Sequence, residues 1–166
     1  MERMNNKRAQ QTMGMPFGMI FAIFLIVVFV VIAFIAVGGF LDIGKKASVG
    51  LFYDELQDAV DEAWSGQSGE FDFAIDLPSK ITEVCFANLS NVITNRDGKY
   101  DNILKYDVYE ANTFLIPPGS AENMPWKLIK HLDIDTITRD SNPYCVSVKS
   151  KLRIKKDFYD KLVAIE

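Results

Sequence analysis

Residues Phe17–Val37 read FGMIFAIFLIVVFVVIAFIAV, and no charged side chain occurs anywhere from Thr12 to Leu41. A bilayer core is crossed by about 20 apolar residues at 1.5 Å rise each. A helix in a soluble core keeps a polar face on one side, and this stretch keeps none. The segment 13–41 therefore reads as a transmembrane helix. A cleaved secretory signal is the rival. Its basic leader would be Arg3, Lys7 and Arg8, and Ala36-Val37-Gly38 offers small residues for cleavage. The apolar core of such signals spans only about 7–15 residues, and this run is longer.

Charge flanking the span predicts its orientation. Residues 1–12, a basic tail or leader, carry Arg3, Lys7 and Arg8 against Glu2 alone. Basic residues stay in the cytoplasm. The N-terminus is thus expected inside and the C-terminal domain outside the cell membrane. Beyond Thr12, fifteen basic side chains face twenty-one acidic ones, a net charge of −6. An acidic domain repels phosphates, so a nucleic-acid partner is not expected.

After Leu41 the pattern becomes periodic. Val49, Phe52, Tyr53, Leu56, Val60, Ala63 and Trp64 recur at three- and four-residue steps, with Asp54, Glu55, Asp58, Asp61 and Glu62 between them. This predicts an amphipathic juxtamembrane helix over 42–65. Gly38, Gly39 and Gly44 are points where it can bend away from the span. The acidic stripe reads as a solvated face, because no calcium-loop pattern accompanies it. Ser65–Gly69 (SGQSG) ends the helix.

Residues 66–166 predict a small, mainly antiparallel β domain, so the fold class is α+β. Phe71, Phe73 and Ile75 alternate with Asp72, Ala74 and Asp76. Ile81–Leu89 (ITEVCFANL) is a second strand, and Asp97-Gly98 signals a turn. Tyr100–Asn112 is ambiguous, Thr113–Ile116 is a short strand, and Trp126–Leu132 is helix or strand. Tyr144–Lys155 is the clearest strand. Val146, Val148, Leu152 and Ile154 point one way, and Lys149, Lys151, Arg153 and Lys155 the other. That basic stripe reads as a solvated sheet face whose lysines discourage edge-to-edge pairing. Binding of an anionic polymer or lipid head groups is the alternative. Asp157–Asp160 is a turn, and Lys161–Ile165 closes a hairpin.

Cys85 and Cys145 are the only cysteines, and both lie in the expected outer domain. An oxidising compartment lets them pair; two separate buried thiols are the alternative. With His131 as the only histidine, a metal site has too few good ligands, and no cofactor is expected. No phosphate loop, histidine pair or nucleophile elbow is present. Asp133 and Asp135 would share one face of a strand, which two-carboxylate chemistry requires, but no substrate pocket is legible. His131 reads as a boundary residue, and no catalytic residue is assigned. Asn88-Leu89-Ser90 is a candidate glycosylation acceptor, reachable only outside the cell.

A basic leader, an apolar helix, an amphipathic extension and a β-rich domain together resemble type IV pilins and pilin-like proteins. Lys7-Arg8-Ala9-Gln10-Gln11-Thr12 is similar to the class III leader of archaeal members. The resemblance implies cleavage between Ala9 and Gln10 and packing of the apolar helices into a filament core. Such pilins carry glutamate five residues after the cleavage point; here that position is Gly14, and Pro16 interrupts the start of the helix. The expected function is therefore a non-enzymatic, single-pass, membrane-anchored surface protein, with the pilin-like filament subunit as the alternative. Its partners are the bilayer, its own span in self-association, and an unnamed protein or surface polymer.

Overall fold

The computed structural model describes residues 14–166 apart from 96 and 99; side chains at 14–16, 40–43 and 45 in the long helix are not described. Helix α1 runs Gly14–Ser65. Strands β1 (Gly69–Ala74), β2 (Glu83–Phe86), β3 (Thr113–Ile116) and β4 (Trp126–Lys127) follow. A one-turn helix α2 (Ile134–Ile137) precedes β5 (Tyr144–Ser147), β6 (Lys151–Lys156) and β7 (Ala164–Ile165). The class is α+β, as the sequence predicts. Two compact units divide between Ile43 and Gly44.

In the first unit, Phe17–Gly39 is a 23-residue apolar helical segment with none of its length buried. At 1.5 Å per residue it extends about 34 Å, against a hydrocarbon core of about 30 Å. Among the described residues it is the one helix long and apolar enough to cross a membrane. Pro16 does not interrupt the helix. It lies within the described helix, two residues after Gly14. The leader residues Ala9 and Gln10 lie outside the described residues.

The second unit, Gly44–Glu166, is built on the C-terminal turns of α1. Val49, Phe52, Tyr53, Leu56, Val60 and Ala63 are buried, and Asp54, Glu55, Asp58 and Glu62 are exposed. This is the stripe the spacing predicts, and it forms one wall of the main core. Gly66 N–H donates to Glu62 O (3.2 Å), and the buried Lys156 donates through Nζ to Gly66 O (2.7 Å). A cation thus meets the carbonyl end of the helix dipole, although the last turn carries no basic residue of its own.

Two sheets complete the unit. One is ordered β1-β6-β7 and the other β4-β3-β2-β5, with every strand pair antiparallel. The second sheet is covered on both faces. Val84, Phe86 and Leu115 join the core that contains the α1 stripe, while Cys85, Ala87, Phe114 and Ile116 join Tyr100 and Ile103 on the other side. Double coverage explains why VCF and FLI are continuous apolar runs without polar alternation.

Two expectations are corrected here. Tyr144–Lys155 is not one strand. It breaks at Val148–Ser150, with Ser150 N–H donating to Ser147 O (2.9 Å), and the halves β5 and β6 enter different sheets. The basic stripe does not guard an edge, because β6 is the central strand of its sheet. Its charges meet acidic neighbours instead. Lys151 lies 3.3 Å from Asp72, Arg153 lies 3.3 Å from Glu70, and Lys155 lies 3.7 Å from Glu166. Asp97-Gly98 makes the turn its sequence signals, Tyr100 N–H donating to Asp97 O (2.7 Å). Ile103–Tyr106 is a short 3-10 helix that resolves part of the ambiguous stretch.

Candidate functional site

Cys85 and Cys145 are directly opposed on β2 and β5, with Cα atoms 4.0 Å apart, and are joined as a disulfide. The bond ties a central strand to an edge strand and closes a 60-residue separation. Cys85 is fully buried and Cys145 is half-buried. Glu83 lies two residues from Cys85 on β2, and side-chain ligand atoms of Glu83, Cys85 and Cys145 fall within 4.8 Å of one another. Tyr100 Oη donates to Glu83 Oε2 (3.2 Å). With the sulfurs bonded to each other, only the carboxylate of this trio is a strong ligand.

Asn88 follows β2 and lines an open polar cleft of about 650 Å³, together with Asn91, Thr94, Asp135, Arg139 and Asn142. Its amide is engaged on both atoms. Oδ1 accepts from Ser90 N–H (3.0 Å), and Nδ2 donates to Asp135 Oδ1 (2.7 Å). Asn91 Nδ2 reaches the same carboxylate oxygen (3.3 Å). Behind the cleft stands Asn142, 3% exposed. Its Oδ1 accepts from Asn88 N–H (3.1 Å), and its Nδ2 donates to the carbonyls of Asn88 (2.8 Å) and Val92 (3.2 Å). Its backbone exchanges further bonds with Thr94 and accepts from Asn95 N–H. One buried amide thus substitutes for strand pairing and pins residues 88–95. The sequence signal was only an Asn-Pro step at Asn142-Pro143, which marks a turn and not a hub.

The remaining polar residues singled out by the sequence do not converge. Asp133 and Asp135 share no strand face; Asp133 is the N-cap of α2, accepting from Thr136 N–H and Oγ1 (both 3.0 Å). Asp135, one position into the helix, turns toward the cleft amides. His131 adopts a left-handed backbone (φ 65°) and stacks on Trp64 with ring centroids 3.8 Å apart. Its Nδ1 lies 2.8 Å from Asp61 Oδ1. A carboxylate only accepts, so Nδ1 carries the hydrogen. Gln57, Asp61 and Trp64, at helical spacing, hold the Lys130 backbone, the His131 ring and the Lys161 carbonyl. Lys130 N–H donates to Gln57 Oε1 (2.8 Å), and Trp64 Nε1 donates to Lys161 O (3.2 Å). His131 is therefore a docking residue between helix and loop. Trp64, placed in the buried stripe by its spacing, lies at the stripe's exposed margin.

No protein-family model matches the chain, and neither do the curated proteins or the solved structures it was compared with.

Proposed function

We propose that the chain is a non-enzymatic, single-pass membrane protein that anchors a small disulfide-linked domain at the cell surface. The observation that carries this reading is the apolar segment Phe17–Gly39, none of which the protein itself buries. Large side chains such as Phe17, Phe24, Phe29 and Phe34 are each 60% or more exposed. Water does not tolerate so much contiguous apolar surface, whereas lipid removes that cost. Two further features support an extracytoplasmic position for Gly44–Glu166. Basic residues concentrate before the span, and disulfides persist in oxidising compartments. The β domain then presents its polar cleft to a protein or surface-polymer partner.

Alkaline carbonate washing of membranes tests the anchor. The full-length chain is expected to stay in the pellet, and release into the supernatant would refute it. A pilin-like filament subunit is the second reading, favoured by the leader Lys7-Arg8-Ala9-Gln10 and a span apolar on all sides. Mass measurement of the mature N-terminus separates the two. A terminus at Gln10 selects the processed subunit; an intact leader selects the permanent anchor.

A further inference from the structure

We propose that the dithiol form of the domain is a zinc-class metal site made by Glu83, Cys85 and Cys145, so that metal binding and the disulfide exclude each other. Counting ligands along the sequence finds two cysteines and one remote histidine, which is too few. The fold supplies the third ligand from an unexpected residue. Residues i and i+2 of a strand stand on one face, and the residue directly across the ladder stands beside them. Glu83 and Cys85 occupy the first two positions on β2, and Cys145 occupies the third on β5. Their ligand atoms already lie within 4.8 Å of one another.

Three such ligands leave one position of a tetrahedral ion for water. Tetrahedral zinc with sulfur at about 2.3 Å places two sulfurs about 3.8 Å apart. Cutting the disulfide frees the sulfurs to take that spacing, and β5 is an edge strand of its sheet. Two thiolates with a carboxylate select zinc or cobalt over the hard cations. The hydroxyl of Tyr100 on Glu83 supplies the orienting contact that ligating carboxylates use. Glu83 and Cys145 are half-buried, which leaves an entry path, while Cys85 is buried.

The chemistry balances with an external dithiol as reductant. Two electrons pass to the Cys85–Cys145 bond, giving two thiols, and the reductant closes to its own cyclic disulfide. The divalent ion then displaces both thiol protons and binds the two thiolates and Glu83. A cyclic disulfide as oxidant reverses the sequence by thiol–disulfide exchange: it takes up two electrons and two protons to become its dithiol as Cys85 and Cys145 rejoin and the ion is released.

Cobalt reports the site directly, because thiolate-to-cobalt charge transfer gives a near-ultraviolet band. Full-length protein in detergent is reduced with a dithiol, freed of reductant under anaerobic conditions and titrated with cobalt(II). The reduced protein is expected to bind one ion per chain with this band, and the oxidised protein to show none. Glu83→Gln is expected to weaken binding at least about tenfold, and zinc to displace the cobalt. Absence of the band in reduced protein would overturn the proposal. So would equal affinity in Glu83→Gln, the outcome expected if an unfolded chain merely offered two loose thiolates.

Discussion

Asn142 shows how much one buried amide can organise. Three side-chain hydrogen bonds hold the segment that leaves β2, a stretch with no strand partner. Truncation leaves buried backbone groups unpaired, each costing about 1–3 kcal/mol. Asn142→Ala is expected to destabilise the domain by about 2–4 kcal/mol in urea unfolding, and Asn91→Ala, at the exposed rim, by less than about 1 kcal/mol. Tyr53 makes a second residue-scale prediction. Burial raises its phenol pKa above the ordinary value, with a smaller push from Tyr106, and its Oη donates to Met124 O (3.1 Å). Below about pH 10 the phenol is neutral in both folded and unfolded chains. Above that, the unfolded chain releases the proton and the folded chain keeps it, so stability falls as pH rises. Tyr53→Phe should lose about 1 kcal/mol at neutral pH and show a shallower alkaline decline in thermal melts. An equal alkaline slope in both proteins would contradict this.

At the scale of elements, the amphipathic turns of α1 belong to the core of the β domain and are not a spacer. Leu56 is fully buried in that core. Leu56→Ala should cost about 2–5 kcal/mol, measured by denaturant midpoint. The stripe Val49–Ala63 was legible because its apolar residues follow the helical period. The strand Thr113–Ile116 was legible because Pro117-Pro118-Gly119 bounds it. The break inside Tyr144–Lys155 was not, because apolar residues at even positions continue through Val148, and alternation alone cannot tell one strand from two with a turn between them. The placement of β6 was hidden for the same reason. Strand order is set by long-range pairing, which leaves no local signature in the chain. Asp133 and Asp135 were misread because β-branched Ile134 and Thr136 favour a strand, while Asp133 as N-cap overrides that preference.

At the scale of the molecule, the disulfide matters because the domain is small. Closing a 60-residue separation stabilises by about 4 kcal/mol in the chain-entropy model. Reduction should lower the urea midpoint accordingly, and native protein should resist thiol labelling until reduced. The cysteine pairing was legible as an expectation from the count of two in a domain expected outside the membrane, and the register of β2 and β5 realises it. The candidate cleft was not legible, because Asn88, Asp135 and Asn142 are far apart in sequence and meet only through the fold.

We propose that Phe17–Gly39 anchors the chain with Gly44–Glu166 outside the membrane. Protease added to intact cells tests it most directly. Loss of the C-terminal domain without lysis, leaving a membrane-embedded N-terminal fragment, is the expected result. Full protection of the domain until the cells are broken would contradict it.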